Sequence, residues 1–214
     1  MMNVKCLEFN FLPVNTYVIW DDTKEAAVID PGCFYPSETD QLAAFIKDNG
    51  LDVKLLLNTH LHFDHVFGNT FVEETYGVRA RANSLDTPWI ENIQQRLAVF
   101  GLRYQGHVNP ILPQNVLNEG DTVTFGTTML HVLHIPGHSP GSIVFWNKEQ
   151  GCVFTGDVMF QGSYGRTDFP DGDYDALMTG IRSKLLTMPD DTVVYPGHGP
   201  ATTIRHEKLY YPQI

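Results

Sequence analysis

The stretch that most constrains this chain is residues 53–65. The apolar run Val53-Lys54-Leu55-Leu56-Leu57 passes through Asn58-Thr59 straight into His60-Leu61-His62-Phe63-Asp64-His65. A buried strand thus leads directly into three imidazoles and a carboxylate. His60, His62 and Asp64 are spaced by two, so a chain that leaves the strand still extended points all three to one face. Imidazole nitrogen and carboxylate oxygen together suit zinc and other first-row metals. Four such groups crowd a single tetrahedral ion, so the spacing points to two metals. Asp64 can also cap a helix beginning near His65, a position that Asp favours. Three imidazoles gathered by chance in one turn is the weaker account.

Three further loops each follow a strand and each carry another candidate. They are Pro136-Gly137-His138-Ser139-Pro140-Gly141-Ser142, Thr155-Gly156-Asp157 and Tyr195-Pro196-Gly197-His198-Gly199-Pro200. Glycine lets such a backbone turn tightly and come close to an ion. Singly, each is an ordinary Gly/Pro turn. Joined to the first cluster they complete a set of seven ligands, which suits two ions sharing one carboxylate. Ser139 in Gly137-His138-Ser139-Pro140 is not a nucleophile elbow. His107, His131, His134 and His206 match no motif and read as structural or surface residues.

The first third reads as strands at residues 4–9, 16–20 and 26–29, with Asp21-Asp22 turning the chain between the last two. Residues 37–49 have helical spacing at Leu42, Phe45 and Ile46, and Gly50 stops them. Strand 53–58 leads into the histidine loop. A helix is expected over 66–76, closed by Gly77, then a short strand over 78–82. Residues 85–101 predict one helix whose apolar face, Trp89, Ile90, Ile93, Leu97 and Phe100, packs into the core. Residues 102–114, with little periodicity, predict a lid or pocket wall. The second half starts again with strands at 122–125, 129–135, 142–146 and 152–155. A helix over 174–187, a strand over 192–195 and a short helix over 202–211 follow. This β-then-α order, repeated, predicts an α/β (α+β) chain with two sheets face to face and helices outside, rather than a doubly wound parallel sheet. The 214 residues suit a single domain, 1–214.

The formal net charge of −11 gives a surface that repels phosphate backbones, so nucleic acid is not an expected partner. No stretch is long and apolar enough to span a membrane. The first residues, interrupted by Glu8, Asn10 and Pro13, do not read as a secretory signal. Cys6, Cys33 and Cys152 are widely spaced and odd in number, so they offer no disulfide framework and no metal pair. Cys152 reads as a buried core thiol. Reduced thiols make the cytoplasm the expected location.

The ordered pattern His60-x-His62-x-Asp64-His65, His138, Asp157, His198 resembles the metallo-β-lactamase fold superfamily of metallohydrolases over nearly the whole chain. The resemblance implies a four-layer αβ/βα sandwich with a binuclear site at one edge. It implies that His60, His62 and His138 hold one divalent metal and that Asp64, His65 and His198 hold the other, with Asp157 bridging. Zinc is the expected metal, with iron or manganese as alternatives. Asp30, in Val28-Ile29-Asp30-Pro31-Gly32, matches an aspartate that orients ligands from behind, a role compatible with its ending a strand. Asp157 is not the cysteine of zinc β-lactamases, which disfavours antibiotics as substrates. Residues 136–142 and 156–168, with Gly165-Arg166-Thr167-Asp168-Phe169, look like hydroxyacylglutathione hydrolase (glyoxalase II) and its short bacterial relatives. Arg166 falls where those enzymes contact the thiol carrier, although it can equally pair with Asp168.

Phe67 replaces the first glycine of the family's His-x-Gly-Gly pattern, which crowds the helix start. Asp168 and Pro200 replace tyrosines that contact glutathione in longer enzymes, and the chain lacks their further C-terminal helices. The implied reaction is hydrolysis of a small hydroxyacyl thioester such as S-lactoyl-glutathione by a hydroxide shared between the metals, with Asp64 and Asp157 positioning the ions. The same Gly165–Phe169 string resembles persulfide dioxygenases, which would use one iron on His60, His138 and Asp157. Hydrolysis of lactones or phosphodiesters, and a non-catalytic binding role, complete the alternatives.

Overall fold

The computed structural model describes residues 1–99, 101–104 and 106–211. The chain forms two mixed sheets. The first contains β1 (Asn3–Phe9), β2 (Val14–Trp20), β3 (Glu25–Ile29), β4 (Asp52–Leu57) and β5 (Ala80–Arg81) in that order, antiparallel up to β3 and parallel beyond it. The second orders β6 (Thr122–Phe125), β7 (Thr128–His134), β8 (Ile143–Asn147), β9 (Cys152–Gly156), β10 (Val193–Pro196) and β11 (Thr202–Thr203) side by side. There, among the described residues, only β9 and β10 pair in parallel. The helices are α1 (Pro36–Asp48), α2 (Phe63–Val66), α3 (Asn69–Tyr76), α4 (Thr87–Glu91), α5 (Ile93–Val99), α6 (Tyr174–Gly180) and α7 (Ile204–Tyr210). Parallel neighbours need a crossover, and α1 and α6 lie in the β3–β4 and β9–β10 connections.

Period-two alternation divides each strand between two cores. Tyr17, Ile19, Ala27, Ile29 and Leu57 of the first sheet meet Val132, Ile143, Phe145 and Phe154 of the second. The intervening Val18, Val28 and Leu56 face outward onto Leu42, Ile46, Val66 and Val72 of the helices. On the far side, Val144, Val153 and Val194 pack on Leu177, Ile181 and Ile204. Helix, sheet, sheet and helix are therefore stacked in four layers, as the two-half pattern predicts. Among the described residues no helix is long and apolar enough to cross a membrane.

Three expected helices are interrupted, each at an identifiable hydrogen bond. The 66–76 helix starts earlier, at Phe63, and breaks at Phe67-Gly68. The Asp64 carbonyl accepts from Asn10 Nδ2 at 3.1 Å, and the Gly68 N–H donates to the Pro31 carbonyl at 2.7 Å. The continuous i→i−4 bond between them is thereby replaced. Phe67 is buried against Phe34, Phe63 and Tyr104, so the ring in place of glycine fills an aromatic cluster. The 85–101 helix splits at Asn92, whose side chain takes the Pro88 carbonyl at 3.1 Å. Trp89, Ile90, Ile93 and Leu97 are buried as expected, and Phe100 lies outside the described residues. The 174–187 helix widens into a π-helical turn over Ile181–Leu185, where Ser183 Oγ bonds back to Thr179 O at 2.6 Å.

Candidate metal centre

All the candidate ligands except Asp64 and His65, which lie in α2, sit just beyond the carboxyl end of a strand. His60 and His62 follow β4, His138 follows β7, Asp157 follows β9 and His198 follows β10. Asp30 follows β3, parallel to β4. The two sheets bring these ends to one edge. The chain stays extended only as far as His62, which is the N-cap of α2. Asp64 therefore reaches the centre from the first helical turn rather than from an extended strand, and it is not the cap itself.

Three overlapping groups of side chains converge there, one of them Asp30, His60 and His65. His60, His62 and His138 each offer a ligand atom, all within 4.8 Å of one another, and so do Asp64, His65 and His198. His62 Nδ1 and His138 Nε2 are 2.9 Å apart. Asp157 lies between these last two groups. Its Oδ1 is 3.4 Å from His65 Nε2, and its Oδ2 is 3.5 Å from His138 Nε2 and 3.6 Å from His198 Nε2. Asp64 Oδ2 is 3.5 Å from His198 Nε2 and 3.8 Å from His65 Nε2.

The imidazoles are aimed by bonds on their outer sides. His60 Nδ1 meets Thr59 Oγ1 at 3.1 Å, and His138 Nδ1 meets the Arg166 carbonyl at 2.9 Å. His198 Nδ1 meets the Pro13 carbonyl at 3.1 Å. His65 Nδ1 meets Asp30 Oδ2 at 3.1 Å, and Asp30 also accepts from Thr59 N at 2.8 Å and Thr59 Oγ1 at 2.6 Å. Outer partners of this kind set tautomer and ring orientation at metal sites. Asp30 adopts φ 48°, an uncommon conformation for a residue with a side chain, and is buried. Two glycines permit the convergence: a Cβ at Gly165 would collide with the Asp157 carbonyl, and one at Gly197 with Asp157 Oδ1.

Burial holds His60 well below its ordinary pKa, with His65 and His62 acting in the same direction. Burial, then His138, brings His62 down to about 3. Both rings are therefore neutral and carry lone pairs near pH 7. Burial opposes charge on His65 as well, but Asp157 and Asp64 outweigh it and raise that ring well above its usual value. Burial would likewise raise Asp157, yet His65 and His138 hold it well below the carboxylate range. One end of the centre is thus rich in carboxylates that hold positive charge beside them. His60 Nε2, His65 Nε2 and Asp157 Oδ1 are buried without a hydrogen-bond partner, and such orphaned atoms need explanation. A donor set of imidazoles and carboxylates with unsatisfied inward atoms fits divalent cations.

Two features were not anticipated from the sequence. Asp86, buried, accepts from Leu61 N at 3.2 Å, Ser139 Oγ at 2.7 Å and Gly141 N at 2.6 Å, so it ties the His60–His62 loop to the His138 loop. It sits in a stretch read only for its apolar face. Arg166 contributes its backbone carbonyl to His138, which no side-chain motif could reveal. Its guanidinium forms the pair with Asp168, at 2.7 Å on both arms, and lies over Phe169.

A cavity of ≈ 740 Å³ opens beside His62, Asp64, His138, Asp157 and His198, walled by Phe63, Trp89, Leu102, Phe160 and Phe169. Trp89 belongs to this wall as well as to the core. Its ring centroid is 4.1 Å from that of His62, and its Nε1 donates to Asp171 at 3.0 Å. Leu102 opens the segment expected to form a wall, and Tyr104 pins that segment through a 2.6 Å bond to the Phe67 carbonyl.

Comparison with known proteins agrees with this architecture. The model of the metallo-beta-lactamase superfamily matches residues 9–198. Hydroxyacylglutathione hydrolase GloC of Haemophilus influenzae is 39% identical over 213 residues, covering 99% of this chain and 97% of that protein. The crystal structure of the BLEG-1 B3 metallo-beta-lactamase superposes with a TM-score of 0.87 at 34% identity, covering 100% of this chain and 99% of that one. TTHA1623 in a di-iron-bound form gives 0.85 at 35% identity, covering 99% of this chain and 100% of that one.

Proposed function

This chain belongs to the metallo-beta-lactamase superfamily of metal-dependent hydrolases, and from that premise we propose that it hydrolyses a hydroxyacyl thioester at a two-metal centre. The observation that supports two metals is the position of Asp157, with one carboxylate oxygen toward His65 and the other toward His138 and His198. The substrate class rests on whole-length likeness to the Haemophilus influenzae hydroxyacylglutathione hydrolase. His60, His62 and His138 would hold one ion, Asp64, His65 and His198 the other, and Asp157 both. Bound there, divalent ions supply Lewis acidity and activate water near neutral pH.

The protein's own groups do the rest. Asp64 and Asp157 place two negative charges against the ions and reduce the field that a thiolate product must escape. Thr59, Asp30, Pro13 and Arg166 keep the imidazoles turned inward, so little reorganisation is needed during reaction. Phe63, Trp89 and Phe169 present an apolar wall to the substrate and exclude bulk water from that side. A thiol has a pKa of about 8.5, so a thiolate leaves without a general acid.

The test is elemental analysis of the purified protein with S-lactoyl-glutathione hydrolysis assayed on the same sample. Two metals per chain and cleavage are expected. One iron per chain with oxygen uptake on a persulfide would replace this reading by the dioxygenase. Cleavage of a chromogenic β-lactam with none of the thioester would redirect the substrate class while leaving the centre as assigned.

A further inference from the structure

Two arginines stand in the wall of the cavity, Arg96 and Arg166, among mainly apolar side chains. They differ in what they already hold. Arg166 gives Nε to Asp168 Oδ1 and Nη2 to Asp168 Oδ2, each at 2.7 Å, so its charge is matched and its fork occupied. Arg96 lies flat on Trp89, its guanidinium carbon 3.4 Å from the ring centroid. Its Nε is buried without a hydrogen-bond partner, and it forms no ion pair with a described carboxylate. Stacking on an indole holds a guanidinium in place while leaving its edge donors free. An unmet buried donor costs free energy that an incoming anion offsets, most effectively a carboxylate, whose two oxygens match the fork.

The placement says which part of a substrate this group can read. His62 meets the Trp89 ring edge-on, their centroids 4.1 Å apart, and Arg96 lies over that same indole. Arg96 thus reaches the centre only through Trp89, while both arginine and indole line the cavity beside His62. A small hydroxyacyl group does not extend so far, but the thiol carrier does. We propose that Arg96, rather than Arg166, determines specificity by binding a carboxylate of the carrier thiol, an inference that rests on the thioesterase reading above.

The test compares two thioesters that share the lactoyl group, S-lactoyl-glutathione with its carboxylates and S-lactoyl-N-acetylcysteamine with none. In Arg96→Met, KM for the first should rise about tenfold with kcat within about twofold, as expected for loss of one charge-assisted contact. The kinetics of the second should not change, and Arg96→Lys should recover part of the loss. Binding of the non-hydrolysable S-hexylglutathione, measured by calorimetry, should weaken about tenfold in Arg96→Met, while S-hexyl-N-acetylcysteamine should bind as before. Equal losses with both carriers, or a larger loss in Arg166→Met than in Arg96→Met, would overturn the proposal. If neither thioester is cleaved by the unaltered protein, the thioesterase reading fails. The calorimetric comparison then decides Arg96 alone: undiminished S-hexylglutathione binding in Arg96→Met overturns it.

Discussion

The two halves of the centre are made of different materials. His60, His62 and His138 are imidazoles only, 1%, 6% and 3% exposed, and two of them are aimed by neutral oxygens of Thr59 and Arg166. Asp64, His65 and His198 include a carboxylate, lean on the further charge of Asp30, and leave 27% of the His198 side chain exposed. The first half would attract a cation through lone pairs in an enclosed space. The second would attract one through charge at a more open rim. Enclosure and charge are separate routes to holding an ion, and Asp157 joins them by facing both.

The largest effect expected on this comparison comes from Asp157→Ala, which removes the group common to both halves. Activity should fall by about 10³-fold, equivalent to ~4 kcal/mol of transition-state stabilisation. Elemental analysis should show loss from both halves, and retention of a full complement would dissolve the link between them. Next come the paired variants His62→Ala and His198→Ala. Each should lower the metal content by about one ion per chain, and the remaining ion should be released faster by a chelator in His62→Ala, where only the open half is intact. Equal release rates would refute the contrast between enclosed and open halves.

Asp30→Asn should weaken metal binding about 10- to 100-fold through His65, with a smaller change in the all-imidazole half. Asn tolerates the positive φ at this position, so the fold should persist. Competition against a metallochromic indicator measures both affinities, and equal weakening would show that Asp30 supports the loop rather than one half. The smallest effect is expected from Asp86→Asn. Burial already raises the Asp86 carboxyl pKa, so its charge is held at some cost. Losing its charge-assisted bonds should reduce stability by about 1.5 kcal/mol, read by urea denaturation. An unchanged midpoint would show that the two histidine loops are joined by other contacts.

Much of this was legible before any coordinates. The alternation of β2, the apolar run of β4 and the repeated β-then-α order specify two sheets with helices outside, because burial on both faces leaves few other arrangements. The residues that converge were also visible, since four of them cluster within six positions after a strand and His138, Asp157 and His198 each lie in a glycine-bearing loop beyond one. The helix breaks were not. They depend on side chains competing for backbone groups: Asn92 and Ser183 within their own helices, and Asn10 and Pro31 where a distant segment passes nearby.

What the sequence by itself determined is the fold class and the cast of the centre, because side-chain periodicity and ligand chemistry are local properties. Only the tertiary structure decided who aims and who is free. It placed the Pro13 and Arg166 carbonyls behind two histidines, joined two loops through Asp86, closed Arg166 on Asp168, and left Arg96 stacked on Trp89 with donors to spare. Most of those outcomes are contacts between distant residues, and backbone atoms, which carry no identity in sequence, supply several of them.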